Sequence, residues 1–114
     1  MGNLYDSRGT TVVAAAATLV ANRLIGYDGN YAANSAPAKG ISESPATTGD
    51  KITLYNAGTY LVEAGATIAV GNELTAGTDG VAVIATTGQF VHAIAVEAGA
   101  IGENIEVELT RYKK

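Results

Sequence analysis

Short apolar runs separated by turn residues follow one another along the chain from Asn22 onward. Between the turns, apolar and polar residues alternate, and a period of two is typical of a strand with one buried face. Glycine follows aspartate at two of the turns, where its freedom to adopt positive φ suits a tight hairpin. The pattern predicts a mainly β fold, a small compact barrel or sandwich of short strands with short helical turns. The turn signals are Asp28-Gly29, Asn56-Ala57-Gly58, Asp79-Gly80 and Thr87-Gly88.

The alternation is clearest in residues 52–55, 90–96 and 105–109. In the first segment, Ile52 and Leu54 share one face of the predicted strand. In the second, the larger residues at 90, 92, 94 and 96 lie opposite the small residues at 91, 93 and 95. In the third, the apolar residues point inward and the glutamates point outward.

The N-terminal residues have no such periodicity. Residues 1–11 are polar and turn-rich, which predicts an extended, loosely held arm. Residues 12–114 then form a single β-rich domain. Residues 12–21 are ambiguous, because their alanines favour a helix while the paired valines favour an extended strand. We expect the extended form, and both remain open at the level of sequence.

A weak internal repeat relates the two halves of the domain. Residues 22–24 resemble residues 72–74 about fifty positions later, and residues 41–54 align with residues 94–107 at a constant offset of 53. This suggests two related strand–hairpin–strand units folded against each other. The pentapeptide Val-Glu-Ala-Gly-Ala occurs twice with an offset of 34, which does not fit. A chance similarity between small β units is an equally good explanation.

Composition adds that the core contains few large side chains. The chain has 21 Ala, 14 Gly and 13 Thr among its 114 residues, against 26 residues of Leu, Ile, Val and Phe together. We therefore expect the domain to gain stability from outside itself, by forming oligomers or by binding a partner.

The same composition excludes several functions. With no cysteine and one histidine, the chain offers no disulfide framework, no thiolate nucleophile and no His- or Cys-rich metal site. No phosphate-binding glycine motif is present, and the longest apolar run is too short to cross a bilayer. The net charge of −4 is unfavourable for binding nucleic acid. We expect a protein that is not an enzyme and that binds no metal, cofactor, nucleic acid or membrane.

Three features still carry candidate chemistry. His92 is the one base that titrates near neutral pH, and a structural or subunit-interface histidine is favoured over a catalytic base. Glu103, Glu106 and Glu108 lack the oxygen-rich loop spacing of calcium sites, so charges that protect an edge strand are favoured. The basic residues 111–114 predict a frayed terminus first and a contact with an acidic partner second.

The order of these segments resembles the lambda-type head decoration proteins of tailed phages. The residues that carry the likeness are Arg23-Leu24-Ile25-Gly26-Tyr27-Asp28-Gly29, Ala38-Lys39-Gly40-Ile41 and Lys51-Ile52-Thr53-Leu54-Tyr55-Asn56-Ala57-Gly58-Thr59-Tyr60. The second half, from Val62 to Leu109, also resembles the wider phage capsid cement proteins. Together the two likenesses cover residues 22–110.

The resemblance implies a β-tulip-like domain, usually a homotrimer, at the three-fold positions on the outer surface of an expanded capsid. Its partner would be the phage major capsid protein, and its role would be to stabilise the shell against the pressure of packaged DNA. By position, the arm that binds the capsid would contain Asn3, Leu4, Tyr5, Val12 and Val13. An arm with a few apolar anchors can also add a strand to an exposed sheet edge of a partner.

A second hypothesis comes from another class of protein. A small β-sandwich could bind a glycan or a receptor on a virion or cell surface if its aromatic side chains gathered on one exposed face. The candidates are Tyr27, Tyr31, Tyr55 and Tyr60. An enzyme is the third and weakest hypothesis, since no catalytic constellation is recognisable.

Overall fold

The computed structural model describes residues 10–34 and 36–114 of the chain. Nine strands and one short 3₁₀ turn, Thr78–Gly80, make up the regular structure of these residues. The alternating segments found in the sequence lie in strands, except that Val96 follows the end of β8. The strands are β1 (Thr10–Ala14), β2 (Leu24–Ile25), β3 (Gly40–Ser42), β4 (Lys51–Tyr55), β5 (Gly58–Glu63), β6 (Glu73–Ala76), β7 (Ala82–Ile84), β8 (Phe90–Ala95) and β9 (Asn104–Lys113).

The strands form two antiparallel sheets, and this confirms the predicted mainly β fold. The first sheet has the order β1-β4-β3-β2, and the second has the order β5-β9-β8-β6-β7. Both sheets are open within the described residues, with β1 and β2 at the edges of one and β5 and β7 at the edges of the other. The architecture is that of a small β-sandwich rather than a closed barrel.

The start of β1 differs from the predicted boundary between arm and domain. We expected the arm to include residues 10 and 11, but β1 begins at Thr10, which pairs with Tyr55 of β4. Residues 10–14 are extended, so the β-branched residues Thr10 to Val13 outweigh the helical preference of the alanines that follow. The arm residues Asn3, Leu4 and Tyr5 lie outside the described residues.

Backbone hydrogen bonds repeat between the two sheets with fixed offsets. The Ala15 N–H donates to the Asp50 oxygen at 2.7 Å, and the Ala64 N–H donates to the Glu103 oxygen at 2.8 Å. The donors are therefore 49 residues apart in sequence and the acceptors are 53 apart. Three more pairs of backbone hydrogen bonds follow the same rule, with an offset of 49 up to residue 24 and 53 from residue 29 onward. Written as donor–acceptor, they are Leu19–Ala46 with Ile68–Gly99, Ala16–Gly29 with Gly65–Ala82, and Ala32–Leu24 with Ala85–Glu73.

The chain thus consists of two equivalent units, one for each sheet. We call residues 10–55 the first unit and residues 59–108 the second unit. The repeat seen in the sequence is real from β3 onward, where its offset of 53 is correct. Before that, the structural offset is 49, so the predicted match of Asn22 with Asn72 is wrong by one residue, and Asn22 corresponds to Gly71. Both have positive φ, 64° and 89°. The second unit has four extra residues in the hairpin that follows β6.

Each unit buries a small core at equivalent positions. Fully burying a Leu, Ile or Val side chain stabilises a fold by about 1.5–3 kcal/mol, so each core rests on a handful of such residues. The first unit's core contains Leu19, Ile25, Ile52 and Leu54, and the second unit's contains Ile68, Leu74, Ile105 and Val107.

Backbone and polar side-chain groups join a loop of the first unit to a strand edge and a turn of the second unit. The Glu63 N–H donates to the Asn22 carbonyl at 2.9 Å, and the Asn22 side-chain amide donates to the Leu61 carbonyl at 3.1 Å. Arg23 forms an ion pair with Glu63 at 2.9 Å and donates to the Asp79 carbonyl at 3.0 Å. The loop before β2 in the first unit therefore packs on the outer edge of β5 in the second unit.

Close backbone approach at this junction explains one of the many glycines. Gly80 has a φ of 76°, and a Cβ at that position would lie 2.4 Å from the Leu24 carbonyl oxygen. Both the backbone conformation and the space require glycine there. Small residues also form the inner face of β8, where Val91, Ala93 and Ala95 are buried. The high content of small residues thus permits the close contact of strands and loops within and between the units.

Candidate functional site

The outer edge of β1 carries the two predicted capsid-binding residues that the structure describes. Val12 is 51% exposed, whereas Val13 is half-buried and packs against the first unit's core. The Lys39 ammonium donates to the Val12 carbonyl at 2.8 Å, on the side of β1 that faces away from β4. Val12 is thus available to a partner, and Val13 holds the strand in place.

His92 lies inside the chain, at a register shift in the pairing of β8 with β9. Its side chain is 3% exposed, and Nε2 is 2.9 Å from the Ala36 carbonyl oxygen. Because a carbonyl only accepts, the neutral ring carries its proton on Nε2. Burial lowers the pKa of His92 below 6.5, and the nearby positive charge of Arg111 lowers it further, while the bond to Ala36 acts in the opposite direction. The imidazole has a structural partner, and its predicted place at a subunit interface stays a prediction.

The space next to His92 is too small for a substrate. A cavity of about 10 Å³ lies between the 38–40 segment, β4 and β9, with His92 and Arg111 in its wall. This volume holds about one water molecule.

Four tyrosines were candidates for an exposed aromatic face, and the structure separates them into two pairs. The Tyr55 and Tyr60 rings are 4.1 Å apart at the junction of the two units, and Tyr55 is buried. Tyr27 and Tyr31 instead line an open groove of about 330 Å³ beside the first unit's hairpin. The four side chains do not form one platform.

Arg111 contacts Tyr27, one of the residues that line the groove, and shows that the basic tail is ordered. Its guanidinium lies 5.5 Å from the Tyr27 ring centroid, donates to the Tyr27 hydroxyl, and donates to the Ala38 carbonyl at 2.6 Å. Lys114 forms an ion pair with Glu73 at 2.9 Å. The prediction of a frayed terminus is therefore wrong, because both basic side chains find acceptors on neighbouring segments.

Hydrogen bonds to Glu73 also shift two pKa values near the C-terminal strand. The Tyr112 hydroxyl donates to Glu73. This bond is the main reason that the pKa of Glu73 lies below its ordinary value, and Lys114 adds to the effect. The same bond raises the pKa of Tyr112. These groups act as structural ties between β6 and the end of β9.

The sequence suggested that Glu103, Glu106 and Glu108 protect an edge strand, and this prediction is wrong. β9 lies between β5 and β8, and Glu106 and Glu108 are exposed on its solvent face. Glu103 accepts the Ala100 N–H at 2.7 Å and closes a turn. Among residues 10–34 and 36–114, no group of three His, Cys, Asp or Glu side chains could hold a metal ion. In the same residues, no helix is long and apolar enough to span a membrane.

Sequence reasoning missed the residues that join the two units. Arg23 and Glu63 are 40 positions apart, and nothing in either local pattern marks them as partners. The repeat was the available signal, because it suggested two units folded against each other, but it did not identify the residues in contact.

These features define a class of protein: a small β-sandwich of two equivalent units. Most of its polar side chains described above form hydrogen bonds or ion pairs between neighbouring segments, and two of its tyrosines line an open groove. No family model matches the chain, and no curated protein matches it. The lambda-type resemblance inferred from the sequence therefore has no support from these comparisons.

Among solved structures, the fold is similar to the head fiber gp8.5 N base of bacteriophage phi29. The TM-score is 0.79 and the sequence identity is 26%, over 93% of this chain and 97% of that chain. The likeness thus extends over both units, and it supports a structural protein associated with a phage head.

Proposed function

We propose that this protein is a structural component of a phage head that lies on the outer surface of the shell and binds the major capsid protein. The observation that carries the proposal is the likeness to the phi29 head fiber N base across 93% of the chain. A protein that holds neighbouring capsid subunits together would stabilise the shell against internal pressure.

Residues 1–9 of the arm are the proposed contact with the shell. β1, an edge strand of the first sheet, follows directly after them. An arm of this kind can add a strand to a sheet of the partner, where main-chain hydrogen bonds supply affinity. Several copies bound as one oligomer would add to the effect through their high effective concentration. The homotrimer at three-fold positions follows from the sequence resemblance alone and is part of this proposal.

Binding to heads tests the function directly. Purified protein is added to expanded heads of the encoding phage that lack it, and bound protein is measured after sedimentation. We expect saturation at a fixed number of copies per head. A linear, unsaturable uptake, or none, would contradict the proposal.

The arm is tested separately by removing residues 1–9. The deletion stops before Thr10, because removing Thr10 and Thr11 would shorten β1 and disturb its pairing with β4. We expect at least roughly tenfold weaker binding to heads with an unchanged melting temperature. Leu4→Ser with Tyr5→Ser should act like the deletion, whereas Asp6→Asn with Ser7→Ala should not. Unchanged binding of the deletion variant would remove the arm from the proposal.

The groove between Tyr27 and Tyr31 favours one alternative, a module that binds a glycan. Tyr27 is 55% exposed, and sugar rings commonly pack on such aromatic faces. A glycan array with the wild-type protein and with Tyr27→Ala decides this. Specific signals that Tyr27→Ala abolishes would support a glycan-binding function, and an empty array would exclude it.

A further inference from the structure

Within residues 10–34 and 36–114, the contact between the two units uses one of the two copies of each contacting surface. Within the chain, the first unit supplies the loop at residues 20–23, and the second unit supplies the outer edge of β5. By the offset of 49, the equivalent loop in the second unit is residues 69–72, and the equivalent edge in the first unit is that of β1. Such a head-to-tail contact is not symmetric, so these two equivalents do not meet each other.

Val70 in the 69–72 loop is 66% exposed, and Val12 on β1 is 51% exposed, against 41% for its equivalent Leu61 on the paired edge of β5. A Cβ added to Gly71 would have no atom within 4 Å. The equivalent Asn22, in contrast, packs on the second unit and bonds to Leu61 and Glu63. The 69–72 loop is therefore exposed where its equivalent is paired, and among the described residues the β1 edge receives the Lys39 ammonium at the Val12 carbonyl.

We propose that a second copy of this chain places its 69–72 loop on the outer edge of β1, and so repeats between copies the contact that joins the two units within one chain. The partner is another copy because a loop and a strand edge of this kind already contact each other once, where the two units of one chain meet. Each copy then contributes its 69–72 loop to one neighbour and its β1 edge to another.

The equivalence specifies the contact in detail. Within the chain, the Asn22 carbonyl accepts the Glu63 N–H, so between copies the Gly71 carbonyl accepts the Ala14 N–H. Val70 precedes Gly71, and in the internal contact the equivalent Asn22 reaches the Leu61 carbonyl, so Val70 would lie close to Val12, the equivalent of Leu61. Lys39 already donates to the Val12 carbonyl, and this oxygen has a second lone pair for another donor.

The contact between copies differs from the internal one in its charges. Arg23 corresponds to Asn72 and Glu63 corresponds to Ala14, so the internal ion pair has no counterpart. Glu73, next to the loop, is already bonded to Tyr112 and Lys114. The contact therefore depends on backbone pairing and on the two valines, and it is weaker than the internal one. Repetition of a head-to-tail contact closes into a ring or continues as a filament.

Disulfide crosslinking tests the geometry, because the natural chain has no cysteine. The single variants Val12→Cys and Val70→Cys are mixed and oxidised without heads present, and linked peptides are identified by mass spectrometry. We expect Val12–Val70 links between copies and few links when either variant is oxidised alone. Ile101→Cys is the matched control, since Ile101 is 71% exposed but lies outside both surfaces. Preferential linking of Val12→Cys to itself or to Ile101→Cys would overturn the proposal.

Sedimentation equilibrium provides a second measurement that needs no crosslink. The wild-type protein should self-associate, and Val12→Glu and Val70→Glu should each raise the dissociation constant roughly tenfold or more. Ile101→Glu should leave it unchanged. A wild-type protein that stays monomeric at the highest concentration reached would contradict the proposal. Both measurements use the protein without heads, so their outcome is independent of the proposed function.

Discussion

At the scale of single residues, glycines permit close backbone contacts both between the two units and within one of them. Gly80 touches the Leu24 backbone, and Gly40 lies where a Cβ would be 2.7 Å from the Tyr55 carbonyl oxygen. Neither contact can be inferred from sequence, because each joins segments far apart in the chain. The Asp79-Gly80 pair was recognisable as a turn, but its role at the junction was not.

Replacing Gly80 with alanine should destabilise the protein by roughly 2 kcal/mol or more. The substituted residue would have positive φ and would also collide with the Leu24 carbonyl oxygen. Gly49→Ala is the matched control, since Gly49 has a φ of 95° but open space around it. Urea unfolding measures both free energies, and an equal loss in the two variants would contradict the steric part of this explanation.

His92 should make the stability of the protein depend on pH. Its pKa in the folded state lies below the ordinary value of 6.5, mainly because of burial. The unfolded chain therefore binds more protons as the pH falls through 6.5. The contribution of His92 is complete above pH 6.5 and is lost progressively below it.

Melting temperatures measured between pH 7.5 and 5 test this effect. The wild-type protein should lose stability across this range, and His92→Gln should lose less, because glutamine does not titrate and can still donate to Ala36. Glu73 and Asp50, whose pKa values are also lowered, act below their ordinary values of 4.5 and 3.8 and so fall outside the range. Parallel curves for the two proteins would exclude His92 as the cause.

At the scale of elements, the sequence identified strands and turns better than it identified their neighbours. The alternation at residues 105–109 correctly placed Ile105 and Val107 in the core, since a strand with one buried face has a period of two. It did not reveal that β9 is a central strand, because strand order depends on contacts between distant segments. The same limit hid the partners of His92 and Arg111.

The repeat illustrates both what patterns predict and where they fail. The offset of 53 holds from β3 onward because no residue is inserted there. The change from 49 to 53 falls in a hairpin, where length varies freely and the sequence gives little alignment signal. The repeated Val-Glu-Ala-Gly-Ala begins at the end of β5 in one case and follows β8 in the other, so it is a chance similarity.

Arg23 should stabilise the junction of the two units. Its side chain is 17% exposed, pairs with Glu63 and donates to the Asp79 carbonyl. Hydrogen bonds to charged groups contribute about 1.5–3 kcal/mol, so Arg23→Gln should reduce the free energy of unfolding by about 2 kcal/mol. Lys51→Gln, at an exposed position, should change it by less than about 0.5 kcal/mol. Equal effects of the two substitutions in urea unfolding would contradict this role.

At the scale of the whole molecule, two small cores joined by one junction give a fold of modest stability. Leu24 and Ile41 of the first unit pack into the second unit's core, and this couples the two units. A protein of this kind gains stability from whatever binds its folded state. We therefore expect the protein to melt at a higher temperature on a phage head than in solution.

The likeness to the phi29 head fiber N base makes association with a head the central claim. The most direct test compares electron cryo-microscopy maps of heads from the encoding phage with and without this gene. The account predicts that the difference map contains density of the size of this domain, at fixed positions on the outer surface of the shell. Identical maps, or extra density only inside the shell, would contradict it.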